Sequence, residues 1–168
     1  HGALTVAKAA LKGGADYLGV ATLKEGIELR QSGIKSQILV LGNLINEEDF
    51  VACLDLDLIP TLSSIKEAII CQNIAEFNNK KLSVHVKIDT GMTRLGFDLK
   101  DANESVAKIQ DFSFLNLEGV YSHLALADDE SAKVTEEQKY KFENFLDGLG
   151  QKKKGLCFHL ANSAATLR

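Results

Sequence analysis

Tryptophan is missing from this 168-residue chain, and proline and methionine occur once each, as Pro60 and Met92. No proline-rich, glycine-rich or low-complexity stretch interrupts it, so one domain without a linker is expected. Three cysteines, Cys53, Cys71 and Cys157, show no Cys-x-x-Cys spacing. They exclude a disulfide framework and read as small buried apolar side chains in a reducing, cytoplasmic setting. No run approaches the ~20 apolar residues of a membrane span. Basic excess is also missing: 19 Lys+Arg against 23 Asp+Glu leaves −4. That argues against a nucleic-acid backbone as partner. The one basic run, Lys152-Lys153-Lys154, reads as a solvated loop. His1, His85, His123 and His159 lack metal-ligand spacing, so no metal site is expected. No Gly-x-Ser-x-Gly elbow occurs. The chain opens on His1 rather than Met, and an internal piece of a longer protein is expected.

Apolar residues make up 45% of the chain and charged residues 25%, enough to build a core and to exclude disorder. Helical and strand patterns alternate. Helices are expected over Ala3–Lys12, Leu23–Gln31 behind a Thr22 cap, and Glu47–Leu54 behind Asn46. Others run from Ser63 or Ser64 to about Asn78, from about Ala102 to Ile109, and from Thr135 to Leu149. Thr135 and Gln138 fit a Thr-x-x-Gln capping box. Strands are expected at Tyr17–Ala21, Ile38–Leu41, Leu58–Leu62 (weakened by Pro60), Leu82–Ile88, Leu117–His123 and Leu156–Ala161. This rhythm is that of repeated βα units in an α/β fold. It suggests a TIM-type (β/α)8 barrel, incomplete because a full one takes about 250 residues. The alternative, a doubly wound sheet, lacks a Gly-x-Gly-x-x-Gly after its first strand. In either fold chemistry belongs at the C-terminal strand ends: Ala21, Gly42, Leu62, Lys87 to Arg94, His123 and Asn162.

The strand Leu82–Ile88 puts Ser83, His85, Lys87 and then Asp89 on one face, and Val84, Val86 and Ile88 on the other. Either the polar set turns inward and pairs, or it is the wet face of an edge strand. Asp89-Thr90-Gly91-Met92-Thr93-Arg94-Leu95-Gly96 follows, with glycines for tight turns and a planar cation able to fork onto a carboxylate or phenolate. Arg94 paired to a surface acid is the plainer reading. His123 could stack on a flat ring or relay a proton, or be structural. Asn162 and Ser163 could form an anion site or a simple helix cap.

These segments resemble the N-terminal barrel of the alanine racemase family, pyridoxal-phosphate enzymes. The resemblance is carried by Val84-His85-Val86-Lys87-Ile88-Asp89-Thr90-Gly91-Met92-Thr93-Arg94-Leu95-Gly96, Tyr121-Ser122-His123-Leu124-Ala125-Leu126-Ala127-Asp128 and His159-Leu160-Ala161-Asn162-Ser163-Ala164-Ala165. It covers essentially the whole chain. It implies that residues 1–168 are a partial barrel of about six βα units, with the first strand, the last unit and a C-terminal β domain absent. It implies that Arg94 contacts the substrate carboxylate and the cofactor's phenolic oxygen, and that His123 lies by the pyridine ring in a supporting catalytic role. Asn162 and Ser163 would line the cofactor, with Ser163 at its phosphate. Lys87 would carry a carbamate, and His159 and Asp89 would stand behind these groups. The family's cofactor-bearing lysine lies in Lys-Ala-Asn-Ala-Tyr-Gly-His-Gly, of which only His1-Gly2 remains. The second base, a tyrosine, comes from a partner subunit's C-terminal domain. The expected parent is thus a cytoplasmic homodimer that interconverts L- and D-alanine and supplies D-alanine to the cell wall. This piece alone is expected to be inactive. A racemase for serine or another amino acid, or a non-catalytic pyridoxal-phosphate barrel, would share these motifs.

Overall fold

Local caps and glycine stops cut the chain into alternating helices and strands. A computed structural model describes residues 2–167; His1 of the motif remnant lies outside the described residues. Helix α1 (Ala3–Lys12) ends at Gly13, and β1 (Tyr17–Val20) follows. Helix α2 (Leu23–Gln31) opens on a reciprocal box. Thr22 Oγ1 accepts from Glu25 N at 3.3 Å, and the Glu25 carboxylate accepts from Thr22 N at 3.0 Å. Then come β2 (Gln37–Val40), α3 (Glu47–Leu56) behind Asn46, β3 (Ile59–Leu62) and α4 (Ile65–Phe77) behind Ser64. The second half holds β4 (Leu82–Asp89), the short β5 (Phe97–Asp98), α5 (Leu99–Gln110), β6 (Leu115–Tyr121) and α6 (Lys133–Gly148). A 3-10 turn (Gly150–Lys153), β7 (Cys157–His159) and α7 (Ser163–Thr166) complete it. No helix among the described residues is long and apolar enough to cross a membrane.

The strands pair in parallel in the order β1-β2-β3-β4-β6-β7, with β5 added to β4 beyond that path. Side-chain alternation sorts them into two faces. Ile38, Val40, Val84, Val86, Ile88 and Val120 pack outward into the large core with the helices. Leu39, Ile59 and Tyr121 form a separate inner cluster. Thr61, His85 and Lys87 are buried beside that cluster. The architecture is a partial TIM-type barrel in which each crossover helix covers the outer face.

Several sequence expectations need correction. β6 lies two residues earlier than the pattern suggests, because its pairing with β4 runs from Leu82 opposite Leu115 to Lys87 opposite Tyr121; a register shift at Val84/His85 leaves Glu118 bulged out of this ladder. Glu118 there accepts from Ser83 Oγ at 2.6 Å, from Asn116 Nδ2 at 2.9 Å and from Tyr17 OH at 3.2 Å. Helix α5 starts earlier than Ala102, behind an Asp98 cap. Thr135 and Gln138 do not cap α6, which begins at Lys133. The Thr135 hydroxyl donates to Leu126 O, and Gln138 is recruited by other loops. Cys53 and Cys71 are buried, but Cys157 is exposed, because β7 ends the pairing order with β6 as its one neighbour there. Leu62 packs among the outer core residues, so the inner position on β3 belongs to Thr61. Pro60 sits opposite Val40 within the sheet, where the Thr61 hydroxyl adds a bond to Val40 O at 2.8 Å.

Candidate active site

Two adjoining cavities open at the C-terminal ends of the strands. The larger, about 620 Å³, is lined by Tyr121, His123, His159, Asn162 and Ser163 among others. The smaller, about 340 Å³, is lined by Gly42, Lys87, Arg94, Leu95, Tyr121 and His123 among others. Leu41, Tyr121 and His123 belong to both walls, so the two are one divided cleft. No carboxylate lines either cavity among the described residues. With the Arg94 guanidinium as its fixed charge and no acid on either wall among the described residues, the cleft favours an anionic group at that point.

The loop after β4 is wound by its own side chains. Asp89 Oδ1 accepts from Gly91 N at 2.9 Å and from Thr93 N at 3.0 Å. Gly96 has φ 122°, and a Cβ there would stand 2.7 Å from Asp89 N. Only glycine lets the chain return this closely to β4. Arg94 rides on the exposed part of this loop, and its guanidinium makes no hydrogen bond or ion pair with another described residue. It stays free for a planar anion.

Lys87, 3% exposed, donates from Nζ to Leu95 O at 2.8 Å. Burial lowers its pKa, and Arg94 adds to this against the opposing pull of Asp89. His123 is also held below its ordinary value, by burial first and then by Arg94 and Lys87. Its imidazole therefore favours the neutral form.

Under the cleft runs a column of rings. Tyr121 stacks on His159 with centroids 4.5 Å apart and planes 9° from parallel. His159 Nε2 meets His85 Nδ1 at 3.2 Å, and Tyr17 lies against the far side of His85, 5.7 Å between centroids. Thr61 spends its hydroxyl proton on Val40 O, so Tyr121 OH is the donor in their 3.0 Å contact. Tyr121 is pushed up to about 12, chiefly by burial, and keeps that proton. Sequence reasoning missed Tyr121 and Thr61 as wall and support; strand alternation two residues before His123 was the available signal.

His85 is pushed down to about 4 by burial and by neighbouring His159. Its folded value lies below the ordinary 6.5, so the unfolded chain binds the proton first as pH falls. The stability from keeping His85 neutral is complete above pH 6.5 and is lost between about 6.5 and 4. Its size is about 3 kcal/mol. Urea unfolding at pH 7 and pH 4.5 should show this loss, and His85→Asn should flatten the profile.

Asn162 uses both ends of its amide: Nδ2 donates to Leu124 O at 3.0 Å and Oδ1 accepts from Ala165 N at 3.1 Å. It caps α7 and ties that turn to the loop after β6, while the neighbouring Ser163 lines the cleft. Asp89 serves the loop backbone, and His159 forms part of the floor. These placements bring Lys87, Arg94 and His123 to one wall and His123, His159, Asn162 and Ser163 to the adjoining one.

The fold is thus a partial parallel βα barrel whose cleft lies at the C-terminal strand ends, with the Arg94 guanidinium at its wall. The profile described as "Alanine racemase, N-terminal domain" matches residues 1–168. The chain belongs to that family. It is 55% identical over its whole length to an alanine racemase of Prochlorococcus marinus, covering 45% of that protein. It is 44% identical to one of Nostoc sp., with 99% of this chain and 44% of that protein covered. The alanine racemase structure from Clostridium difficile 630 superposes with a TM-score of 0.92 at 37% identity, over 98% of this chain and 46% of the other. The chain thus spans somewhat under half the length of the curated relatives it matches.

Proposed function

We propose that this chain is the barrel portion of a cytoplasmic, homodimeric racemase that interconverts L- and D-alanine with pyridoxal 5'-phosphate. The observation that carries the reading is the unpaired Arg94 guanidinium sharing one wall with Lys87, Tyr121 and His123. The cleft suits this cofactor in its donor set. Arg94 offers a fork to a phenolate oxygen, the His123 imidazole a flat neighbour for an aromatic ring, and the Ser163 hydroxyl a donor to phosphate. When bound, the pyridoxal ring supplies an electron sink that acidifies the substrate α-carbon. Residues of this chain bind and orient. Arg94 holds the substrate carboxylate, Ser163 anchors the phosphate end, and Tyr121 over His159 closes the floor against water. The family resemblance assigns the two proton-transferring groups to a lysine and a tyrosine that this chain does not contain.

Lys87 is assigned a carbamate in the same reading. Burial favours the neutral amine, whose nitrogen bonds to the carbon of carbon dioxide and releases one proton to solvent. The carbamate nitrogen keeps one N–H, so the bond to Leu95 O survives. The new anion faces Arg94 and orients the guanidinium instead of repelling it. Carbon-13 bicarbonate added to the complete protein should give a carbamate resonance that Lys87→Met abolishes. A persistent unmodified ammonium overturns this assignment.

The function itself is tested by incubating the complete protein with D-alanine and the cofactor, and measuring L-alanine by chiral chromatography. D-Serine in a parallel arm checks selectivity. Turnover of alanine above free cofactor is the expected result. Its absence, or a preference for serine, sinks the reading.

A further inference from the structure

The two loops that carry Arg94 and His123 are joined by a buried polar chain. Gln138 on α6 is 1% exposed, as is Thr90 after β4, and Ser122 after β6 is 4% exposed. Gln138 Nε2 donates to His123 O at 3.0 Å and to Thr90 Oγ1 at 3.2 Å, while Ala125 N donates to Gln138 Oε1 at 2.8 Å. Ser122 Oγ donates to Ile88 O at 2.8 Å, so its 2.8 Å contact with Thr90 is donated by Thr90. The direction is therefore fixed throughout: Gln138 to Thr90, Thr90 to Ser122, Ser122 to the β4 backbone. Each side-chain donor has an acceptor, and a satisfied buried network of this kind fixes geometry.

We propose that Gln138 is a positioning residue that locks the Arg94 loop to the His123 loop, so that guanidinium and imidazole meet the same ligand in register. This rests on the racemase reading of the cleft but is testable apart from it. Thr90 begins the loop that Asp89 winds up to Arg94. The carbonyl that Gln138 grips belongs to His123 itself. A carboxamide at position 138 reaches both because α6 starts at Lys133 and turns Gln138 toward the crown. A methionine there would match the volume but leave His123 O and Ala125 N without the Gln138 amide and Thr90 Oγ1 with its bond to Ser122 alone.

The test uses the complete protein as Q138M, T90V and T90S. Amide hydrogen exchange without cofactor reads the tie directly. In Q138M, segments 90–96 and 123–126 should lose protection together by roughly tenfold or more, the factor that one lost hydrogen bond supplies. Protection in α3 and α4 should be unchanged. T90V should reproduce this, and T90S, which keeps the hydroxyl, should restore it. With cofactor, Q138M should raise the KM for alanine by roughly tenfold and change kcat much less, since Arg94 holds the carboxylate alike in ground and transition states. If Q138M does not fold, the Thr90 pair carries the same comparison. Unchanged protection, loss in one loop alone, or a uniform loss across the barrel overturns the proposal. If the unaltered protein does not turn over alanine, the racemase reading fails, while the exchange experiment still decides the role of Gln138.

Discussion

Arg94→Ala in the complete protein is expected to lower kcat/KM for alanine by about a thousandfold, with the fold untouched. The size follows from the bond type. A guanidinium forked onto a carboxylate makes two charge-assisted hydrogen bonds, together worth about 4 kcal/mol, which is about three powers of ten in rate. The stability change is small for a separate reason. Arg94 is exposed on its loop and bonds no other described residue, so its removal should shift unfolding by less than ~0.5 kcal/mol. Arg94→Lys separates charge from shape. It keeps the cation but loses the fork, and should recover only part of the activity, mainly as a lower KM than the alanine variant. Steady-state kinetics with urea unfolding on the same preparations checks both halves. A loss of tenfold or less for Arg94→Ala would show that the guanidinium does not hold the substrate.

What the chain reveals without coordinates depends on how local each feature is. The caps of α2 and α4 are written in four consecutive residues, Thr22 to Glu25 and Ser64 to Glu67, and the structure forms both bonds. The alternation in β4 is equally local: Val84, Val86 and Ile88 are all buried in the outer core, and parity alone sends His85 and Lys87 the other way. The ends of β6 are not local. They are set by pairing with β4, from Leu82 opposite Leu115 to Lys87 opposite Tyr121, within which Glu118 leaves the ladder to reach Ser83, Asn116 and Tyr17. Gln138 shows the converse. Its spacing from Thr135 mimics a capping box, yet the loops after β4 and β6 offer its carboxamide three hydrogen bonds. Tertiary hydrogen bonding outweighs a local cap of about 1 kcal/mol. For the cleft, local pattern placed Lys87 and Arg94 near one strand end. The column from Tyr121 through His159 to His85 joins three strands and has no signature within any one of them.

Gly119→Ala should be among the costliest single-methyl changes in this fold. Gly119 lies opposite His85 just after the bulge, and a Cβ there would sit 2.4 Å from the His85 Cε1 atom and 2.7 Å from Nδ1. A side chain free to swing would relieve such a clash cheaply. His85 is not free: it is 1% exposed, bonded to His159 at 3.2 Å and backed by the Tyr17 ring. Moving it breaks that bond, worth ~1 kcal/mol, and overpacks the ring column at ~1–3 kcal/mol. Against this, alanine recovers ~0.5–1 kcal/mol of backbone entropy lost by glycine in a strand. The net expectation is a destabilisation of about 2 kcal/mol, read as a lower urea midpoint with an unchanged slope. The cause is isolated by a second background. In His85→Ala protein the obstructing ring is gone, so adding Gly119→Ala should cost almost nothing. The two changes should then be strongly non-additive. Equal costs in both backgrounds would place the constraint in the β6 backbone and not in the histidine column, and the column would then lose its role in holding Tyr121 beneath the cleft.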